Sequence, residues 1–278
     1  MIQTIKQIYW ILNDFYRKNI AVNSVDPKLK ITQREKKKLK THPYPNLDSV
    51  NVDGHKFHYN NGGALQHSLE EIFHQEVYKF YTETQNPVII DCGANIGLSL
   101  LYFNRLYPNA RIIAFEPDHD LFAVLKKNAD EFKNSNIQVL EKAVWHEDTN
   151  LTFFSQGGLS GSLVTDFGRG NNTITVEAVD LRKYLETKVD FLKIDIEGAE
   201  NELFFYLADH LQNVEYLFLE YHSIKNEEQM LGEILNIIKK AGFEYYIKMA
   251  SDLIQYPFMK PEPKNSFNVQ LNIFCYRR

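Results

Sequence analysis

The chain has 278 residues, which is enough for one large domain or two ordinary ones. Hydrophobic residues make up 44% of it and charged residues 24%, a composition that excludes a disordered or collagen-like protein. The formal charge of -5 is uneven: residues 1–50 carry a net charge of +6 and residues 51–278 a net charge of -11. Such an asymmetry can indicate a polyanionic or membrane partner.

Cysteine content and apolar runs bear on localisation. Cys92 and Cys275 are too few for a disulfide framework, so we expect a reducing compartment. The sequence has no run of about 18 apolar residues, the length that a membrane-spanning helix needs. These features predict a cytoplasmic protein.

Residues 1–49 are interpreted as a helical and basic N-terminal appendage. Apolar residues recur at helical spacing within the first twenty positions, which predicts an amphipathic helix. The basic segment 28–40 follows, and two prolines end any helix before residue 46. This combination predicts peripheral membrane contact, or a homo-oligomer formed through residues 1–49. No nucleic acid partner is expected, because no aromatic residues are interleaved with the basic ones.

The main domain is predicted to span residues 50–278 and to begin with two local elements. Residues 50–59 hold Asp53 and Gly54 between alternating segments, which predicts a β-hairpin. Residues 65–81 repeat apolar side chains at helical spacing, which predicts a helix.

From residue 88 onward, short apolar runs alternate with amphipathic segments. This pattern predicts an α/β fold with seven strands, parallel at least through the first half of the sheet and covered by helices on both faces. The last two runs are joined by a proline-rich loop without a helix, so they are predicted to be antiparallel. The predicted strands are 88–92, 111–115, 137–140, 189–196, 214–221, 243–249 and 267–276, and the predicted helices include 98–107, 119–132, 200–211 and 227–241.

The run VIIDCGANIG (88–97) ends a strand near Asp91 and continues into a glycine-containing turn. Ligands of doubly wound sheets lie beyond the carboxyl ends of the strands, where glycine permits close backbone approach. The turn lacks the GxGxxG spacing of a dinucleotide site and the Gly-Lys-Ser/Thr of a P-loop, which argues against an NAD-dependent oxidoreductase and a P-loop enzyme. An acid before the turn suits a cationic cofactor such as S-adenosylmethionine.

A second acid ends the next run, AFEPD (114–118). Glu116, followed by Pro117, is placed to accept hydrogen bonds from two ribose hydroxyls. After the third run, Ala143 lies where a backbone amide could meet adenine. A single acid at a strand end is usually a helix cap or a surface residue, but two acids at consecutive strand ends favour a nucleotide cofactor.

Five segments in this order resemble the FkbM family of S-adenosylmethionine-dependent methyltransferases: DCGANIGLS, AFEPD, KAV, FLKIDIEGAE and LEYH. The most specific is KIDIEGAE (193–200). The resemblance implies a class I methyltransferase (Rossmann-like) fold with a C-terminal antiparallel hairpin, and O-methyl transfer to a hydroxyl. It places Glu116 at the ribose. It also implies a first cofactor turn formed by Asp91, Gly93, Ala94, Asn95 and Gly97.

The run DFLKIDIEGAE carries the predicted catalytic side chains. Lys193, Asp195 and Glu197 alternate, so a strand would point all three to one face. Asp195 would then lie beside Asp91 and close to the cofactor. Lys193 lies in an apolar strand and needs a carboxylate partner, either Asp195 or Glu220.

The general base is left open among Asp195, Glu197 and His222, which follows Glu220 at the next strand end. Histidine has the pKa best matched to proton removal near neutrality. No metal is predicted, and the alternative is Mg²⁺ held by Asp195, Glu220 and His222.

Residues 155–173 contain five glycines and several small polar residues. They predict a lid in which Ser160 and Ser162 contact the cofactor or the acceptor, and a mobile surface loop is the alternative.

The predicted activity is S-adenosylmethionine-dependent O-methylation of a sugar, a glycan precursor or a glycosylated metabolite. A polyketide or other natural product, with or without metal assistance, is the alternative acceptor. A non-catalytic nucleotide- or RNA-binding protein is the third reading.

Overall fold

The computed structural model describes residues 25–155, 161–162, 173–251, 254, 256–259 and 267–278. The amphipathic helix predicted within the first twenty residues therefore lies outside the described residues. The chain separates into two compact units, Met1–Val77 and Tyr78–Arg278. The predicted domain boundary between residues 49 and 50 stays a prediction.

In the first unit, helix α1 (Gln33–Thr41) is fixed at both ends by local sequence. The Thr32 hydroxyl accepts a hydrogen bond from the amide of Glu35, and the Glu35 carboxylate accepts one from the amide of Thr32 at 2.8 Å. The helix ends at Thr41, before the two prolines that were expected to stop it.

The predicted hairpin is confirmed as strands β1 (Asp48–Val52) and β2 (His55–Tyr59), which pair antiparallel. Asp53 and Gly54 form the turn, with left-handed φ angles of 52° and 87°. A two-residue turn of this kind needs positive φ at both positions, which explains the residue types.

The helix predicted over residues 65–81 has the wrong bounds. Helix α2 spans Gly62–Leu69 and continues as a π-helical turn over Glu70–His74. The Asn61 side chain caps the start by accepting a hydrogen bond from the amide three residues ahead at 3.0 Å. Glu76 has a left-handed φ of 54°, which ends the helical path. The later apolar residues of the pattern, such as Val77 and Phe80, are buried but belong to an irregular segment rather than to a helix.

The second unit holds the remaining strands and helices. The strands are β3 (Val88–Cys92), β4 (Arg111–Phe115), β5 (Ile137–Leu140), β6 (Ala143–Trp145), β7 (Thr149–Ser155), β8 (Gly161–Ser162), β9 (Thr173–Asp180), β10 (Val189–Ile194), β11 (Val214–Ile224), β12 (Glu244–Ser251) and β13 (Phe267–Tyr276). The helices are α3 (Leu98–Leu106), α4 (His119–Glu131), α5 (Glu200–Leu207) and α6 (Leu231–Lys240).

Seven strands form one sheet in the order β12-β13-β11-β10-β3-β4-β5. The five strands from β11 to β5 are parallel, whereas β13 is antiparallel to both β11 and β12. All six residues of β10 are buried, as expected for a central strand with both faces covered. The predicted fold is confirmed. Among the described helices, none is long and apolar enough to cross a bilayer.

A second sheet, in the order β6-β9-β7-β8, was not predicted. In β9, Val176 and Ala178 are buried while Thr175 and Glu177 are exposed, the period-two pattern of a strand covered on one face. β7 and β9 pair antiparallel across the segment that the sequence assigned to a loop. The alternation in β9 is a local signal for a strand, whereas its pairing with β6 and β7 is visible only in the structure.

Candidate active site

The turn after β3 lies directly against the segment after β10. Gly93 has a φ of 87°, and a Cβ atom there would lie 1.9 Å from the carbonyl oxygen of Asp195. Only glycine permits this approach. The amides of Gly93 and Ala94 donate to the carbonyl of Phe115 at 3.0 and 2.9 Å, which ties the turn to the end of β4 as well.

A buried lysine joins the two strand ends. Lys193 lies opposite Asp91 in the β10–β3 register, and its Nζ is 3.2 Å from Asp91 Oδ1 and 3.2 Å from Asp195 Oδ2. The ammonium also donates to the Gly93 carbonyl at 2.8 Å. Burial disfavours the charge, but the two carboxylates outweigh it and hold the pKa of Lys193 well above its usual range. The carboxylate partner predicted for Lys193 is therefore Asp195, together with Asp91.

Glu116 sits at the carboxyl end of β4 with 5% of its surface exposed. Its two carboxylate oxygens accept hydrogen bonds from the amides of Asn95 at 2.9 Å and Asp118 at 3.0 Å. Burial raises the pKa of Glu116 to about 8, and the two amide bonds act in the opposite direction. The carboxylate thus braces the first turn and faces the same cleft.

The turn after β3 and the carboxyl end of β4 border an open cleft, whose empty space, counted together with the adjoining solvent, is about 580 Å³. Several predicted residues line it: Gly93, Asn95, Glu116, Pro117, Ala143, Asp195 and Glu197. Asp91, Ala94 and Gly97 are buried and shape the turn.

Apolar side chains share the cleft with the carboxylates, among them Phe115, Val144 and Phe153. Apolar walls suit a purine ring, carboxylates suit ribose hydroxyls and a cation, and this donor and acceptor set fits S-adenosylmethionine.

A buried histidine organises the acidic side of the site. The Nδ1 atom of His222 is 2.8 Å from Glu200 Oε1, and its Nε2 is 3.6 Å from Glu197 Oε2 and 3.6 Å from Glu220 Oε1. Burial disfavours the imidazolium, but Glu200, Glu197 and Glu220 outweigh it and hold the pKa of His222 well above its usual range. The proton therefore stays on His222 at neutral pH.

The pKa of Glu197 lies above the usual range of a glutamate side chain. Burial, with the neighbouring charges of Asp195 and Glu200, raises the pKa of Glu197 to about 7, although the His222 cation opposes the shift. The carboxylate consequently titrates near neutrality beside the cofactor cleft.

Two details of the predicted catalytic run are corrected. β10 ends at Ile194, so Glu197 lies in the following turn, with a left-handed φ of 54°, and strand alternation does not place it. β11 continues to Ile224 because it pairs with β13 along this stretch, and His222 therefore lies within the strand, opposite Gln270.

Sequence reasoning missed Glu200, which is fully buried at the start of α5. Its carboxylate accepts hydrogen bonds from the amide of Gly198 at 2.9 Å and the amide of His222 at 2.7 Å, in addition to its contact with the imidazole. It fastens the turn after β10 to β11. An acid at a helix start, two residues after a glycine, was the available signal.

Most of the predicted lid lies outside the residues that the structure describes. Ser160 lies outside the described residues, as do its neighbours at 156–159 and residues 163–172. Ser162 ends β8, which pairs with β7, and its side chain is not described. A role for either serine stays a prediction.

The carboxylates and His222 also meet a geometric condition for a cation. One ligand atom each from Asp195, Glu220 and His222 lies within 4.8 Å of the others. These are the residues named from the sequence as the alternative Mg²⁺ set.

Comparison with known proteins gives a consistent result. The family described as Methyltransferase FkbM domain matches residues 91–245. Methyltransferase 1 of Beauveria bassiana is 27% identical over 48% of this chain and 64% of its own length, so the chain spans slightly less than two thirds of that relative. The 31-O-demethyl-FK506 methyltransferase FkbM of Streptomyces tacrolimicus is 25% identical over 66% of this chain and 83% of its own length. The hexuronic acid methyltransferase AglP of Haloferax volcanii is 26% identical over 56% of this chain and 68% of its own length.

Proposed function

Because the chain belongs to the FkbM methyltransferase family, whose methyl donor is S-adenosylmethionine, we propose that it methylates a hydroxyl oxygen of a sugar, a glycan precursor or a glycosylated metabolite. The observation that carries this proposal is the group of carboxylates, Asp195, Glu197 and Glu220, around one buried imidazolium beside the cofactor cleft. Ionised carboxylates accept hydrogen bonds from hydroxyls, and several in one place suit an acceptor with neighbouring hydroxyls.

The relatives support an oxygen acceptor without selecting one. The name of the Haloferax volcanii protein refers to a hexuronic acid, which favours a sugar, and that of the Streptomyces tacrolimicus protein refers to 31-O-demethyl-FK506. A polyketide or other natural product is therefore kept as the alternative acceptor.

Each residue has a role in this proposal that follows from its contacts. S-adenosylmethionine supplies an electrophilic methyl group on a positively charged sulfur. Glu116 binds the ribose hydroxyls, and Lys193 keeps the first turn against the segment that carries Asp195. Holding the acceptor oxygen in line contributes about 7–11 kcal/mol, whereas a general base contributes roughly 10²–10⁴-fold, or about 3–5 kcal/mol. Orientation of the acceptor by Asp195 and Glu220 therefore matters more than proton removal.

Glu197 is the proposed proton acceptor. Its pKa of about 7 suits proton transfer near neutral pH, whereas His222 already carries a proton. The hydroxyl proton of the acceptor moves to the Glu197 carboxylate. His222 remains an imidazolium and stabilises the ionised form of Glu197 before transfer.

The acceptor class is tested by transfer of a labelled methyl group from S-adenosylmethionine to two sets of compounds, neutral oligosaccharides and macrocyclic alcohols. We expect label in the oligosaccharide fraction, in an alkali-stable ether linkage. Label in the macrocycles alone would establish the alternative acceptor. Label in neither set, although S-adenosylmethionine raises the melting temperature, would refute the sugar assignment but not cofactor binding.

The pH dependence of the reaction tests the base. Below a pH of about 7 Glu197 holds its own proton and cannot accept another, so kcat/KM should rise with pH and level off above about 7. Glu197→Gln should lose roughly 10²–10⁴-fold in kcat and lose this ascending limb. Glu202→Gln, on the exposed side of α5, is the control. An unchanged pH profile in Glu197→Gln would exclude this base.

Metal assistance is the second candidate, because Asp195, Glu220 and His222 are close enough to share an ion. We expect EDTA to leave the transfer rate unchanged and Mg²⁺ to give no stimulation. The His222 cation already balances these carboxylates, and a divalent ion would have to displace its proton. Loss of activity in EDTA that Mg²⁺ restores would establish the metal-assisted form.

A further inference from the structure

β12 is the last strand of the seven-stranded sheet, and within the described residues no strand pairs with its outer edge. Both of its faces hold exposed side chains: Tyr245 is 40% exposed, Tyr246 58% and Met249 62%. An exposed edge with large apolar side chains is a template for pairing with another chain. We therefore expect another chain to cover this edge.

The sequence of the edge is complementary to itself. Residues 244–248 read EYYIK, so an antiparallel pair with its two-fold axis at Tyr246 places Glu244 opposite Lys248 of a second copy, and Lys248 opposite Glu244. An axis at Tyr245 would place Glu244 opposite Tyr246, and an axis at Ile247 would place it opposite Ala250. One register therefore pairs both charges.

The remaining side chains fit the same register. Directly opposite residues share a face, so Tyr245 would meet Ile247 of the other copy on one face, and the two Tyr246 rings would meet on the other. Lys248 is held on the face of Tyr246, with its Nζ 5.9 Å from the Tyr246 ring centre and 5.3 Å from that of Phe274. Residues 244–248 also precede the irregularity between Met249 and Ser251, so this part of the strand pairs regularly.

We propose that β12 pairs antiparallel with β12 of a second copy of this chain, which joins the two seven-stranded sheets edge to edge. Lysine on a strand edge ordinarily prevents aggregation. At this edge Lys248 selects one register of one partner, because an axis at Tyr245 or at Ile247 leaves its charge opposite an uncharged residue, and an axis at Lys248 itself puts two lysines opposite one another.

Sedimentation velocity of the full chain from about 1 to about 100 µM tests the proposal, a range that covers modest self-association. We expect a dimer for the unaltered chain. Lys248→Glu and Glu244→Lys should each weaken dimerisation roughly tenfold or more, since each puts like charges opposite one another. An equimolar mixture of the two variants should restore the dimer, because both opposed pairs then attract, and the double variant should do the same.

Lys126→Glu, a charge reversal at an exposed position of α4, is the matched control and should dimerise normally. A monomeric unaltered chain at the highest concentration would overturn the proposal. If the unaltered chain dimerised and none of the β12 variants changed its dimerisation, the proposal would be overturned as well. The contact would then lie on another surface, such as residues 1–49.

Discussion

Replacing Lys193 with Met should lower the free energy of unfolding by about 3–5 kcal/mol, the usual effect of breaking a buried ion pair by removing one partner. Lys193 and Asp91 are almost completely buried, and their closest charged atoms are 3.2 Å apart. Methionine matches the aliphatic length of lysine, so the main loss is the charge that balances Asp91. The Gly93 carbonyl also loses its donor.

Urea denaturation followed by circular dichroism measures this loss. Lys188→Met is the control, since Lys188 pairs with Asp190 at 3.0 Å but has 67% of its side chain exposed, and its removal should cost less than about 1 kcal/mol. Adding Asp91→Asn to Lys193→Met should recover part of the stability by removing the unpaired charge. Equal losses for the two lysine variants would contradict the assigned role of Lys193.

At a pH above about 8, where Glu116 is ionised, replacing it with Gln should weaken binding of S-adenosylhomocysteine roughly 100-fold or more, since hydrogen bonds to a charged group contribute about 1.5–3 kcal/mol each. The carboxylate accepts from the amides of Asn95 and Asp118, and it faces the cofactor cleft. A glutamine amide would turn a donor toward one of these amides. The variant therefore weakens both the ribose contact and the shape of the first turn.

Isothermal titration calorimetry of the folded variant measures the change in affinity. Glu131→Gln, at an exposed position near the end of α4, is the control and should bind as the unaltered chain does. If the affinity of Glu116→Gln were within about twofold of that of the unaltered chain, the change in binding free energy would be well below the 1.4 kcal/mol that corresponds to tenfold. The ribose would then have to bind elsewhere.

The parts of the fold that were predicted correctly depend on local signals. The runs VIIDC and RIIAF are apolar apart from Asp91 and Arg111, because their strands are buried on both faces. The Asp53-Gly54 turn needs positive φ angles that few residue pairs adopt. The cofactor turn was also predicted from a local signal, the glycine at position 93, where no side chain fits. Strand alternation and glycine placement are properties of adjacent residues.

The parts that were missed depend on contacts between distant segments. β9 is stabilised by β7 and β6 rather than by a strong apolar run of its own. The helix predicted over 65–81 stops early, because Glu76 turns the chain and the apolar residues after it are buried without helical geometry. Local periodicity reports neither the strands with which β9 pairs nor the turn at Glu76.

The sequence by itself determined the strands of the seven-stranded sheet, because each strand has a signature within about ten adjacent residues. It also determined the two acids of the cofactor site, Asp91 before the turn that follows β3 and Glu116 after β4. Only the tertiary structure decided the charges around His222. Its pKa depends on Glu197 in a turn, Glu200 on α5 and Glu220 on β11, which approach the ring only when the chain is folded. A pKa is set by distances between charges and by burial, and neither quantity is present in the order of the residues.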